Sequence, residues 1–172
     1  MNQPPGTGEQ ALEGVSHFGI HVADLDRSIA FYGGLLGLEL IARWVRDQEY
    51  LQELVGYPGV ELHVAVFRMP NSEDFLEVLE YRNVARQAID TANANPGTAH
   101  MCFYVSDLES LHARLLSAGV RFVSPIKSPT VGPNVGGKAI YMIDPDGIRI
   151  ELLQTALTLA GEPRVPPAAA SA

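Results

Sequence analysis

Two stretches of the chain, HFGIHVADL at 17–25 and HMCFYVSDL at 100–108, each open on a histidine and carry Val and then Asp-Leu at the same offsets. Side chains alternate across a strand, so His17, Gly19 and His21 share one face, and His100, Cys102 and Tyr104 share the equivalent one. Two apolar runs further along, DFLEVLEY at 74–81 and IRIELLQ at 148–154, each set a carboxylate between apolar neighbours, Glu77 and Glu151. A carboxylate between Ile, Leu and Val is costly to bury without a partner, and a metal ion supplies one. Two neutral imidazoles and two carboxylates around one divalent cation form a charge-neutral N/O donor set suited to Zn, Ni, Co, Mn or Fe(II). Any one of these residues alone reads more simply as a hydrogen-bonded core histidine or an exposed glutamate. Their recurrence at equivalent ends of a duplicated pattern favours the metal site.

The elements that must position them also occur twice. In the first half, VSHFGIHV reads as a strand bounded by turn residues. ADLDRSIAFYGGLLG reads as a helix with Asp24 as N-cap, weakened by Gly33-Gly34 and stopped by Gly37. LELIARWV is a strand, DQEYLQELVGYPG a helical or looped insert, and VELHVAVFRMP and DFLEVLEY are strands joined through Pro70-Asn71-Ser72. In the second half the strand AHMCFYV precedes a helix, SDLESLHARLLSAG, with a Ser106-x-x-Glu109 capping box and a Gly119 stop. VRFVSPI follows, then KAIYMID and IRIELLQ as a hairpin across Asp144-Pro145-Asp146-Gly147. Each half is thus a βαβββ module.

The expected organisation is a loose N-terminal segment over 1–14, a first module over 15–82, a linker over 83–97, a second module over 98–155 and a loose tail over 156–172. One helix covers one face of a four-stranded sheet, so the other face needs a partner. The fold class is α+β: two paired βαβββ modules forming a curved mixed sheet around a central metal-binding cavity, with helices outside.

Composition narrows the partners. A net charge of −8 argues against non-specific nucleic-acid binding, though local charge still permits an anionic substrate. No apolar run is long enough to span a bilayer, and the N-terminus lacks the layout of a signal peptide, so a cytoplasmic protein without membrane partners is expected. Cys102 is the single cysteine, which excludes an intrachain disulfide.

The motifs HFGIHVADLDRSIAFY, HMCFYVSDL and YMIDPDGIRIEL closely resemble those of the vicinal oxygen chelate superfamily, which includes glyoxalase I, extradiol dioxygenases and fosfomycin and bleomycin resistance proteins. The resemblance covers roughly residues 15–155 and places the metal ligands on His17, Glu77, His100 and Glu151. That set is similar to the one in glyoxalase I. It implies a lyase or isomerase that chelates two neighbouring oxygens of a small oxygenated substrate and stabilises an enediolate, with Glu77 or Glu151 as the general base. An Fe(II) extradiol-type dioxygenase is the alternative, using His17, His100 and Glu151 as ligands, with His21 and Tyr141 as acid/base groups. A metal-dependent binding or resistance protein without turnover is the third. Among the arginines, Arg27, Arg82 and Arg149 could each meet an anionic substrate, and Arg149 is the best placed because it shares a face with Glu151. Modules of this kind pair within one chain or across two, and a homodimer is expected because sheet edges remain to be covered.

Overall fold

The computed structural model describes residues 12–164. In chain order it comprises β1 (His17–His21), α1 (Leu25–Ile29), β2 (Glu39–Arg46), α2 (Glu49–Val55), β3 (Glu61–Arg68), β4 (Phe75–Arg82), β5 (His100–Tyr104), α3 (Leu108–Ser117), β6 (Arg121–Phe122), β7 (Lys138–Ile143) and β8 (Arg149–Gln154). The fold is α+β, and the two βαβββ modules are present. The first sheet runs β1-β4-β3-β2 and the second β5-β8-β7-β6, each with its first strand parallel to its last and the other pairs antiparallel.

Local chemistry explains most boundaries. Asp24 caps α1 by accepting from the Arg27 N–H. The chain then widens into a π-helical turn over Ala30–Leu35, which contains the Gly33-Gly34 pair. The insert after β2 is helical, and α2 ends on Gly56 in the left-handed region at φ 77°. One cap differs from expectation. Asp107, not Ser106, caps α3, because its carboxylate accepts from both the N–H and the hydroxyl of Ser110. Strand β6 is shorter than VRFVSPI suggests, although Val123 N–H still reaches the Tyr141 carbonyl.

The core sits on the helix-side faces of both sheets. One continuous apolar cluster joins Leu25, Phe31, Tyr32, Phe67, Leu76 and Val78 of the first module to Leu108, Leu115, Met142, Ile150 and Leu152 of the second. Tyr32 and Asp144 also tie the modules together, the Tyr32 hydroxyl donating at 2.9 Å. The two modules pair within one chain through this shared core. The sheets do not close on one another, and α1 and α3 contribute to the core that the modules share. The reason is pattern: Ile20, Ala65, Phe67, Leu76, Val78, Ile140, Met142, Ile150 and Leu152 all lie on the helix-side faces, where burial stabilises most. In the first sheet, α2 covers part of the other face, packing Leu51 and Val55 on Leu62, Val64 and Leu79.

The expected loose ends lie partly outside the described residues. In the described stretch beyond β8, Leu157 bridges to Pro163, and the Arg164 guanidinium stacks 3.8 Å from the centre of the Tyr104 ring.

Candidate metal centre

Strand register places each histidine beside its glutamate. On parallel strands β1 and β4, Gly19 stands opposite Glu77, so His17 lies one same-face step from the carboxylate. On β5 and β8, Cys102 stands opposite Glu151, and His100 occupies the equivalent diagonal position. The resulting Nε2–Oε2 separations are 3.5 Å for His17–Glu77 and 3.3 Å for His100–Glu151.

The two pairs differ in their surroundings. His17 Nδ1 lies 3.2 Å from the Ser16 hydroxyl, leaving Nε2 turned toward Glu77. Such a contact on the far ring nitrogen is the usual way a ligating imidazole is oriented. At the second pair, Tyr141 on β7 donates to Glu151 Oε2 at 2.7 Å and lies 3.2 Å from His100 Nε2. Desolvation and the neighbouring Glu151 carboxylate raise the Tyr141 hydroxyl well above its ordinary value. The Cys102 thiol is pushed up to about 12, first by desolvation and then by the charge and hydrogen bond of Glu151. The Tyr141 phenol is thus held as a neutral donor to that carboxylate.

His21 lies further along the same face of β1, its ring 5.3 Å from Tyr81 and tilted at 56°. It joins an aromatic wall with Tyr57, whose ring is 5.7 Å from Tyr81. Of the two other arginines considered for an anion, Arg27 is paired with Asp146 and Arg82 with Glu80. The spacing in sequence did not reveal Tyr81 as a neighbour of His21. Its place four residues after Glu77, on the same face, was the available signal.

The chain therefore brings the four expected ligands together as two pairs. Among the described residues, no group of three or more His, Cys, Asp or Glu side chains is placed to hold one metal ion. Both pairs open to solvent, the His17 and His100 side chains being 49% and 41% exposed. Each pair offers one imidazole nitrogen and one carboxylate oxygen, donor types that suit a divalent cation.

A family model described as the Glyoxalase/Bleomycin resistance protein/Dioxygenase superfamily matches residues 14–152, and the chain belongs to that superfamily. It is 31% identical over 142 residues to a lactoylglutathione lyase of Salmonella typhimurium, covering 80% of this chain and 90% of that one. It is also 31% identical over 143 residues to the glutathione transferase FosA of Serratia marcescens, covering 82% and 80%. A lactoylglutathione lyase of Schizosaccharomyces pombe is 27% identical over 158 residues, and this chain spans about half its length, 51%. Among solved structures, a glyoxalase family protein from Bacillus cereus superposes with a TM-score of 0.75 at 22% identity, covering 87% of this chain and 99% of that one.

Proposed function

We propose that the protein is a divalent-metal-dependent lyase or isomerase of the glyoxalase kind, acting on a small substrate with two neighbouring oxygens. One observation carries the reading: the same His/Glu diagonal is built twice, with Nε2–Oε2 separations of 3.5 and 3.3 Å. His17 and Glu77 from one copy of the chain and His100 and Glu151 from a second would hold the ion, since one chain presents them as separate open pairs. This reading makes the protein a homodimer whose two sites each draw on both subunits.

The ion, when bound, polarises the substrate oxygens and eases loss of a proton from the carbon beside a carbonyl. The chain's own carboxylates divide the remaining work. Glu151 is held in place by the Tyr141 hydroxyl. Among the described residues Glu77 forms its one ion contact with His17, and its side chain is 26% exposed. Glu77 is thus the freer carboxylate, able to take a proton at Oε2 and return it to the adjacent carbon. The lactoylglutathione lyases among the relatives support this class of reaction.

Metal content decides it. Protein purified without oxygen should hold about one equivalent of Zn, Ni, Co or Mn per chain, lost in Glu77→Ala. A second reading, an extradiol-type dioxygenase, is favoured by the contact of Tyr141 with both His100 and Glu151. It requires iron, retained in Glu77→Ala, together with oxygen consumption. No metal in either protein, even after reconstitution, would overturn both.

A further inference from the structure

We propose that the substrate carries an anionic oxygen-acid group, a carboxylate or a phosphate, held by Arg149 and Arg121 beside the His100–Glu151 pair. The inference rests on the metal-site reading above and specifies the substrate it takes.

The register of the second sheet lays out the site face in rows. His100, Arg149, Ile143 and Arg121 stand side by side across β5, β8, β7 and β6. In the next row Cys102, Glu151 and Tyr141 are aligned. Tyr104, Leu153 and Ala139 form the third, extended by Lys127 through its bridge to Ala139. Arg164, lying over Tyr104, adds a further cation to that row. Arg149 and Arg121 thus stand in the row before Glu151, and Lys127 and Arg164 belong to the row after it.

The chain has 20 Asp and Glu against 12 Lys and Arg, so carboxylate partners are plentiful. Six of the 12 cations do find one: Arg27, Arg43, Arg68, Arg82, Arg86 and Lys138. The other six form no ion pair among the described residues: Arg46 lies over the Trp44 ring and Arg114 donates to the Leu35 carbonyl, while Arg121, Lys127, Arg149 and Arg164 belong to the rows of the second sheet. Arg149 is the sharpest case, because its Nε is buried and has no hydrogen-bond partner. Asp90 of the linker feels the Arg149 charge but forms no ion pair with it. A buried guanidinium nitrogen without an acceptor is costly and is satisfied by a planar oxygen-acid ligand, which can accept from two N–H groups at once. Closing a second subunit's face over this row would lower the local dielectric and strengthen that contact.

The test titrates inorganic phosphate and acetate into metal-loaded and chelator-treated protein by calorimetry, with chloride holding the ionic strength constant. Both anions should bind the two forms better than chloride. Affinity should fall about tenfold in Arg149→Gln and in Arg121→Gln, recover in part in Arg149→Lys, and stay unchanged in Arg43→Gln, whose charge lies elsewhere. Arg121 is exposed, so its variant cannot fail by misfolding of the core. Anions that bind no better than chloride, or an equal loss in Arg149→Gln and Arg43→Gln, would overturn the proposal. Metal content measured on the same samples separates the two ideas: bound metal without anion preference sinks the anion site alone, and anion binding without metal sinks the lyase reading alone.

Discussion

Tyr141 donates a 2.7 Å hydrogen bond to Glu151 Oε2 from the neighbouring strand, and the same hydroxyl lies 3.2 Å from His100 Nε2. One phenol therefore fixes the relative position of two proposed metal ligands. Removing it leaves the pair free to reorient. Tyr141→Phe should lower metal affinity or turnover by roughly tenfold to hundredfold, the usual effect of losing a group that orients a ligand. Metal titration and steady-state kinetics read the two separately, and no change in either would refute the positioning role.

The two carboxylates should respond differently to the same chemical change. Glu151 is restrained by the Tyr141 hydrogen bond, whereas Glu77 accepts no side-chain hydrogen bond among the described residues and lies beside His17. Glu77→Gln keeps an oxygen donor but loses the proton acceptor, so turnover should fall by about 10²-fold or more with metal largely retained. Glu151→Gln should weaken metal binding as well. Identical metal loss in both variants would contradict this division.

Sharing of the site between subunits has its own signature. Glu77→Ala and Glu151→Ala should each be inactive alone. Unfolded together and refolded, half the dimers would be mixed, and each mixed dimer would carry one intact site and one doubly broken one. The mixture should regain about a quarter of wild-type turnover. Absence of any recovery, with mixed dimers shown to form, would place the whole site within one chain.

The modules and the proposed ligands were readable in the sequence because period-2 alternation and paired motifs are local signals. His17 with Glu77 and His100 with Glu151 follow from strand faces and from the parallel pairing of first and last strands. How the two halves pack was not readable. Ile20, Phe67 and Ile150 look equally ready to face their own helix or the other module, and only the assembled core shows that they do both. The Asp107 cap was missed because Ser106 and Asp107 are adjacent cap-forming residues, and one extra acceptor oxygen decided between them. The unpaired state of Arg149 was beyond the sequence too, since it depends on which carboxylates reach it in space.

Packing between the modules makes a stability prediction. Tyr32 is fully buried, and its hydroxyl donates to Asp144, which also accepts the N–H groups of Asp146 and Ile148 at the β7–β8 turn. Burial raises the Asp144 carboxyl above its ordinary value, and the Tyr32 hydrogen bond opposes that shift. Tyr32→Phe leaves Asp144 one donor short at no cost in packing volume. It should destabilise the protein by about 1–3 kcal/mol, measured by urea denaturation at neutral pH. A loss well under that range would mean water replaces the phenol.

Glu80 links charge to stability with a defined sign. It is buried at 5% exposure, accepts from the Leu25 N–H at the start of α1, and is bound by the fork of Arg82. The Arg82 hydrogen bonds hold its carboxyl below the ordinary value of 4.5, with smaller help from Leu25 and against the effect of burial. A carboxyl depressed in the folded state stabilises the protein above its unfolded value, and that contribution fades as pH falls through the folded one. Glu80→Gln should therefore cost about 1–3 kcal/mol at pH 7, the size expected for hydrogen bonds to a charged group. The gap between variant and wild type should hold steady above about pH 5 and narrow below pH 4.5, where the wild-type carboxyl begins to lose its advantage. Denaturation curves collected across that range test the sign directly. A gap that widens as the pH drops would show that Glu80 is held neutral in the folded protein and that Arg82 is not its dominant partner.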